Sequence, residues 1–461
     1  MVSRIRNQRR FKPVYIESMR MLMTAMIFVA AVQAQPGVGE RPFRLEQLRT
    51  QPGYQVSVFA GMNGNPRMIA FGPNGVLYAP VRGLGTVVAI PRENEVVTVL
   101  SGLQGPHTVL FRGNDLYVMV NDGLLLYRNA VSSDLIVRGA PERLLTVPAG
   151  GHDTRTLGFS PDGKLFVTVG SSCNLCIESD ERRAAMMRYE PDGSGQTVYA
   201  RGLRNSVGFA WHPVTGELWA TDNGGDGLGD DVPPEEINII DAGADYGWPD
   251  CAGDRREVDW GPAARRGRCA ATKAPEFTTV AHSAPLGISF YTGDQFPASF
   301  VNDGLVALHG SWNRNEPSGA KVIRVRATGG RPVGEEDFLW GFYDPATRTR
   351  SGRPVHAITG PDGAVYISDD SYGNIFRVAY TGPRITPGGI VRNSGRIYEL
   401  YGRNLVGSSR ESVILCNGLA ATTLYTSPDQ VNFVVPDGLT GDVTVSVKTD
   451  KAADESVIRI D

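Results

Sequence analysis

Net charge is the first thing this chain lacks: 46 basic and 49 acidic side chains leave −3 at neutral pH. No positive field exists to draw in nucleic acid or an anionic membrane, so neither is expected as a partner. Long apolar runs are missing as well. The run Met21 to Val32 covers twelve residues, too few to cross about 30 Å of hydrocarbon, and no transmembrane anchor is expected. Cysteine is scarce. Of the five, Cys173 and Cys176 form a lone C-x-x-C with no second pair for a zinc ribbon, and Ile177 stands where a haem-attachment motif has histidine.

What is present points to an exported, mostly β protein. Arg4, Arg6, Arg9, Arg10, Lys12 and Arg20 precede the apolar run, and Val32-Gln33-Ala34 offers small residues to a signal peptidase. Cleavage after Ala34 and a periplasmic or secreted location are expected. Two disulfides and one thiol fit that compartment, with Cys251–Cys269 and Cys173–Cys176 the favoured pairs and Cys416 left over; spacing alone leaves other pairings open. The 55 glycines and 30 prolines punctuate a chain that is 41% hydrophobic and leans toward strand formers.

A strand, a Pro-Asp-Gly-type turn and a returning strand recur six times, beginning at Asn65, Gly105, His152, Arg204, His282 and Arg353. Spacings of about 40 to 80 residues suit propeller blades with loop insertions. A ring of six removes the exposed sheet edges that an open array would leave. The fold is therefore expected to be all-β, a six-bladed β-propeller over 35–383, with YQVSVFA from Tyr54 closing the ring. An open sandwich would leave the repeat unexplained. After the linker-like TGPRITPGGI, short strands between Gly, Asn and Pro turns predict a small immunoglobulin-like sandwich over 384–461.

Two features carry chemistry. The first is a Gly-rich acidic loop holding Asp222, Asp226, Asp230, Asp231, Glu235 and Glu236, whose carboxylates and inward-turning carbonyls suit calcium; a solvated surface loop is the bland alternative. The second is the set Arg67, His107, His152 with Arg155, Arg204 with Asn205, His282 and Arg353, which a propeller would bring to one mouth of its axis. Such a ring of donors suits a polyanionic ligand. His152 is the candidate general base. His212, in a WHP turn, reads as structural, and His309 as an outer contributor.

GHDTRTLGFSPDGKLFVTVGSSCN, GLRNSVGFAWHP, the acidic loop ending EEIN, DYGWP, AHSAPLGISFYTGDQFP, ALHGSWNR and GRPVHAITGPDG occur in this order. From about Gly53 to Tyr380 the chain thereby resembles the soluble glucose/sorbosone dehydrogenases, exported six-bladed propellers that use pyrroloquinoline quinone and calcium. ITPGGI, Tyr401 to Leu405 and LYTSPDQVNFVVP resemble an immunoglobulin-like module appended to exported bacterial proteins. The first resemblance implies an enzyme that oxidises an aldose or sugar aldehyde. In it His152 takes the proton of the anomeric hydroxyl while hydride passes to the quinone, and a separate acceptor, a cytochrome or quinone, receives the electrons. It further implies that Arg204 and Asn205 donate to a cofactor carbonyl and Arg353 grips a cofactor carboxylate, with Arg314 or Lys321 in the place of a lysine. Calcium is implied at the carbonyls of Gly224 and Gly225, and a second ion near Glu236 and Tyr246.

The chain departs from glucose-type members at Val76, where they have glutamine, at Gly151, where they have an acidic residue, and at Val355, where they have a second arginine. Cys173 and Cys176 point to the sorbosone-type branch. Two other functions fit such a fold: a calcium-dependent lactonase, against which the Arg- and His-rich axis argues, and a non-catalytic carbohydrate- or surface-binding propeller.

Overall fold

The computed structural model describes residues 38–258 and 267–461. The expected signal peptide, 1–34, lies outside the described residues. Alternating apolar residues bounded by Gly, Asn and Asp turns form strands throughout, and no α-helix occurs among the described residues.

Six antiparallel sheets follow one another along the chain, each built mainly from consecutive strands in up-and-down order. Their first strands are Ala70–Phe71, Thr108–Arg112, Leu157–Phe159, Phe209–Trp211, Pro285–Phe290 and Pro354–Thr359. One cavity of about 280 Å³ is lined by Ala70, Thr108, Leu157, Gly208, Ile288 and His356, a residue in or beside the first strand of every sheet. The first strands of all six sheets therefore converge on this cavity. Tyr54–Gly61, from before the first sheet, pairs antiparallel with Asn374–Tyr380 of the sixth, Tyr54 opposite Tyr380. Leu77 and Ile90 of the first sheet share a core with Ala364 and Ile375 of the sixth, so the two ends of the series pack together.

Phe376, opposite Val58 of that joining strand, is fully buried, its ring centroid 5.3 Å from Phe43 and 5.5 Å from Phe342. Beyond Tyr380, two four-stranded sheets enclose a separate core. Val443, Val445 and Val447 point inward on every second position of Gly441–Lys448, and the thiol of Cys416 is buried beside them. The Tyr380 hydroxyl donates to the Ala453 carbonyl at 3.4 Å and Arg403 pairs with Asp294 at 2.8 Å, tying the two regions.

Both favoured disulfides are present, Cys173–Cys176 and Cys251–Cys269. Phe376→Ala is expected to cost about 3–5 kcal/mol, seen as a lower urea midpoint. Leu424→Ala, on an exposed strand, is expected to stay within about 0.5 kcal/mol. Equal losses at the two sites would contradict the packing described.

Candidate functional site

The residue preceding each first strand is placed by the strand's entry into the sheet, and the structure gathers several of the polar ones at one mouth. Arg204 and Asn205 precede Phe209–Trp211, and their backbone N–H groups donate to Asp222 at 3.0 and 2.7 Å. Asp222 ends the second strand of the same sheet, Leu218–Asp222. The sixth sheet repeats the device: Asp369, ending Val365–Asp369, accepts the N–H of Arg353 at 2.6 Å. A buried carboxylate thus fixes each arginine's backbone and leaves its guanidinium to reach outward.

His152 enters from the third sheet. Its N–H donates to the Ser171 carbonyl at 2.9 Å, and its Nδ1 lies 2.9 Å from Ser171 Oγ. Burial, then the positive charge of Arg204, lowers its pKa from 6.5 to about 4, so the ring is neutral near pH 7 and able to take a proton. The Arg204 guanidinium pairs with Asp226 at 2.8 Å. Asn205 lies beside His152, since a side chain on Gly170 would meet both the His152 Cβ and the Asn205 amide oxygen. Arg155 is fully buried and donates to the carbonyls of His152 and Pro148, so it holds the His152 segment instead of facing a ligand.

Across the mouth stand Arg67, His107, His309, Arg353 and a carboxylate missed in the sequence, Asp370. Asp370 pairs with Arg67 and lies 2.8 Å from His309 Nε2. Burial opposes its charge, but His309, Arg67 and Arg353 hold its pKa below the usual carboxylate range. Burial outweighs Asp370 at His309, lowering that imidazole to about 4. Arg353 donates to the carbonyls of His309 and Gly310, and burial lowers it to about 10. The mouth is a network in which Asp370 joins the Arg- and His-rich set of donors expected from the sequence. Arg67 Nε, Ser283 Oγ and Asn313 Oδ1 are buried there without a partner among the described residues, which is the donor and acceptor surplus an anionic, multiply polar ligand would use.

The acidic loop divides. Asp230 and Asp231 are surface latches: Asp230 accepts the Asn315 N–H, and Asp231 pairs with Arg314 at 2.9 Å. Arg314 also donates to the carbonyls of Asp230 and Glu316, so its guanidinium is spent on the loop and not offered to a cofactor. Lys321 pairs with Asp337 on the neighbouring strand. His282 reaches the Gly229 carbonyl at 2.8 Å. His212 accepts backbone N–H groups of its own turn, as its structural reading requires.

Asp222, Glu235 and Glu236 turn inward. Asp222 stands opposite Glu236 in the strand register. Burial, then mutual repulsion, pushes Asp222 up to about 8; burial raises Glu235 and Glu236 to about 7. Asp222 and Glu236 present hard oxygen donors of the kind a divalent ion takes, with the Arg204 guanidinium as the side-chain cation beside them. A small cavity beside them is lined by Arg204, Asp222, Gly224, Gly225, Glu236 and Tyr246. Both expected ion positions thus border one cavity. The Tyr246 hydroxyl is not free to serve as a ligand, because it donates to Ile239 O at 2.7 Å and accepts the Asp241 N–H. Gly224 admits no side chain, since a Cβ there would strike Pro233.

The three departures have physical causes. Val76 sits in a hairpin turn against the core of Tyr78 and Val109, away from the mouth. Gly151 has φ +69°, and a Cβ would lie 2.5 Å from the Ser171 carbonyl, so the turn that presents His152 excludes any side chain. Val355 joins Met68, Val207 and Leu286, from four different sheets, in an apolar plug. Met68 itself lines the cavity, and Val207, Leu286 and Val355 each adjoin a residue that does, so the plug borders it.

A nuclear magnetic resonance titration is expected to place His152 near 4, and Arg204→Met is expected to raise it by removing the neighbouring charge. A value near 6.5 in the unmodified protein would contradict the burial described.

A family model described as TrAA12-like matches residues 48–381, and one described as IPT/TIG domain matches 383–457. The chain is similar to an uncharacterized protein of Borreliella burgdorferi, 29% identical over 350 residues, covering 72% of this chain and 91% of that protein. It is also similar to the aldose sugar dehydrogenase YliI of Escherichia coli, 28% identical over 257 residues, 50% of this chain and 60% of that one. A pyrroloquinoline quinone-dependent pyranose dehydrogenase of Coprinopsis cinerea is 25% identical over 414 residues, 74% of this chain and 56% of its own length. Among solved structures, a calcium structure of a Trichoderma reesei carbohydrate-active enzyme of family AA12 superposes with TM-score 0.65 at 21% identity, covering 72% of this chain and 97% of that one. The match over 48–381 takes in most of the chain, and the protein belongs to the TrAA12-like family.

Proposed function

We propose that this protein is an exported oxidoreductase that oxidises an aldose or sugar aldehyde with pyrroloquinoline quinone and calcium. The six sheets form a closed six-bladed propeller over 35–383, followed by an immunoglobulin-like module over 384–461, with the signal peptide in 1–34. The observation that carries the reading is the pairing of a neutral, half-buried imidazole at His152 with Arg204 and Asn205 on one side of the mouth and Arg353 on the other. The relatives named as aldose and pyranose dehydrogenases supply the class of substrate and the cofactor.

Pyrroloquinoline quinone, when bound, supplies the electron-accepting carbonyls, and calcium withdraws charge from them. Arg204, Asn205 and Arg353 would hold the cofactor; Arg67 adds a further buried guanidinium. Asp222, Glu236 and the carbonyls of Gly224 and Gly225 would hold the ion. His152 takes the proton of the sugar hydroxyl through Nε2, a contribution of about 10²- to 10⁴-fold. Arg204 and Asn205 stabilise negative charge as it develops beside them. Met68, Val207, Leu286 and Val355 close the axis below, keeping bulk water from entering behind the reacting groups. A separate acceptor takes the electrons onward.

The test is titration of metal-stripped protein with pyrroloquinoline quinone, with and without calcium, followed by cofactor absorbance and dye reduction over an aldose panel. Stoichiometric, calcium-dependent uptake and turnover abolished by His152→Ala are expected. The acid limb of kcat/KM should fall near pH 4, where the base becomes protonated. Absence of uptake under every metal condition would sink the reading, and lactone hydrolysis by the same protein would transfer it to the lactonase class.

A further inference from the structure

We propose that the short loop closed by the Cys173–Cys176 disulfide is a positioning element that sets the tautomer of His152 and the orientation of Arg204, acting through Ser171 and Asn174. The inference rests on the proposed role of His152 as the base.

Ser171 supplies the first half. Its hydroxyl donates its single proton to the Cys173 carbonyl at 2.7 Å. Toward His152 Nδ1, 2.9 Å away, the same oxygen can only accept. The Ser171 carbonyl, 3.2 Å from Nδ1, is likewise an acceptor. Nδ1 therefore carries the ring proton, and Nε2 keeps the lone pair that a base needs. The Ser171 N–H donates to the Arg204 carbonyl at 2.8 Å, so one fully buried residue touches both groups.

Asn174 supplies the second half. Its carbonyl accepts from Arg204 Nε at 3.1 Å and from the Trp248 indole at 3.2 Å. Its side-chain oxygen accepts from Arg204 Nη2 at 2.9 Å and from the Asp226 N–H at 2.8 Å, while Nδ2 donates to the Asp226 carbonyl at 2.9 Å. The remaining partners of that guanidinium, Asp226 and the Asn223 carbonyl at 3.3 Å, both belong to the acidic loop. Asn174 thus locks the arginine and the acidic loop into one arrangement.

Packing does not hold this loop in shape. Its residues are exposed or half-buried, and Ile177 next to it is 58% exposed. The disulfide, with Ser172 donating to Glu178 through N–H and hydroxyl at 2.6 and 2.8 Å, is what keeps the carbonyls of Cys173 and Asn174 turned inward. The cross-link thereby transmits order to two groups that it does not touch.

The test begins on cofactor-free protein, with ¹⁵N-labelled histidine followed by nuclear magnetic resonance. His152 is expected as the Nδ1–H tautomer, with a pyridine-like Nε2. Ser171→Ala, and the double variant Cys173→Ser with Cys176→Ser, should each show a measurable Nε2–H fraction, and Ser171→Thr should restore the original signal. Unchanged signals of His107 and His356, buried elsewhere, report that each variant is folded. Should the double variant not fold, Ser171→Ala carries the test, since it leaves the disulfide in place. In loaded protein, Asn174→Ala should lower kcat about 10- to 100-fold with KM changed far less. An Nε2–H tautomer in the unmodified protein, or wild-type tautomer and turnover in the folded double variant, would overturn the proposal. Because the tautomer is read without cofactor, failure of the dehydrogenase reading and failure of this one are told apart.

Discussion

The site depends on carboxylates that the fold buries before any ligand arrives. Asp222 is 6% exposed and receives the backbone N–H groups of Arg204 and Asn205. Taking such a group out of water is costly, and those N–H bonds offset part of the penalty while locking the chain into the path that presents both side chains. Glu236 faces Asp222 across the strands, and Glu235 clamps Gly224 and Ala284 at 2.7 and 3.1 Å. All three acids have raised pKa, the mark of carboxylates that burial has taken out of water.

Around that constraint the axis is layered. The mouth carries Arg, His and Asp in mutual contact, the plug is wholly apolar, and the cavity is lined by apolar side chains with Thr108, Thr156, Ser289, Thr359 and His356, whose Nδ1 has no partner among the described residues. Of these layers, the mouth holds the charged side chains. The plug also explains why Val355 replaces a polar side chain: its site faces Met68, Val207 and Leu286 rather than a ligand.

Much of this was legible in the sequence because the repeat is. Strand-turn-strand units beginning at His152, Arg204 and Arg353 place those residues ahead of the first strands of the third, fourth and sixth sheets. What escaped was whatever depends on partners in other repeats. Asp370 is the last residue of YISDD, the counterpart of WATDN, and comparing those strand ends would have found Asp222 and Asp369 as matching acids; nothing local says that Asp370 reaches Arg67 and His309. Arg155 and Arg314 looked like ligand-binding arginines because composition cannot reveal that carbonyls and Asp231 already occupy them. Tyr246 read as an ion ligand, yet its hydroxyl is consumed by its own turn. Asn174 ends the motif GHDTRTLGFSPDGKLFVTVGSSCN, yet only the folded loop shows it holding Arg204.

The measurement that bears most directly on this account is calorimetric titration of the cofactor-free protein with calcium at pH 7 in two buffers of different ionisation enthalpy. Acids raised to about 7 and 8 are partly protonated there and must ionise to hold the ion. The account predicts saturable binding with proton release, weakened as pH falls and strongly reduced in Asp222→Asn. Binding without proton release, or none, would contradict the claim that these buried acids are built around a cation.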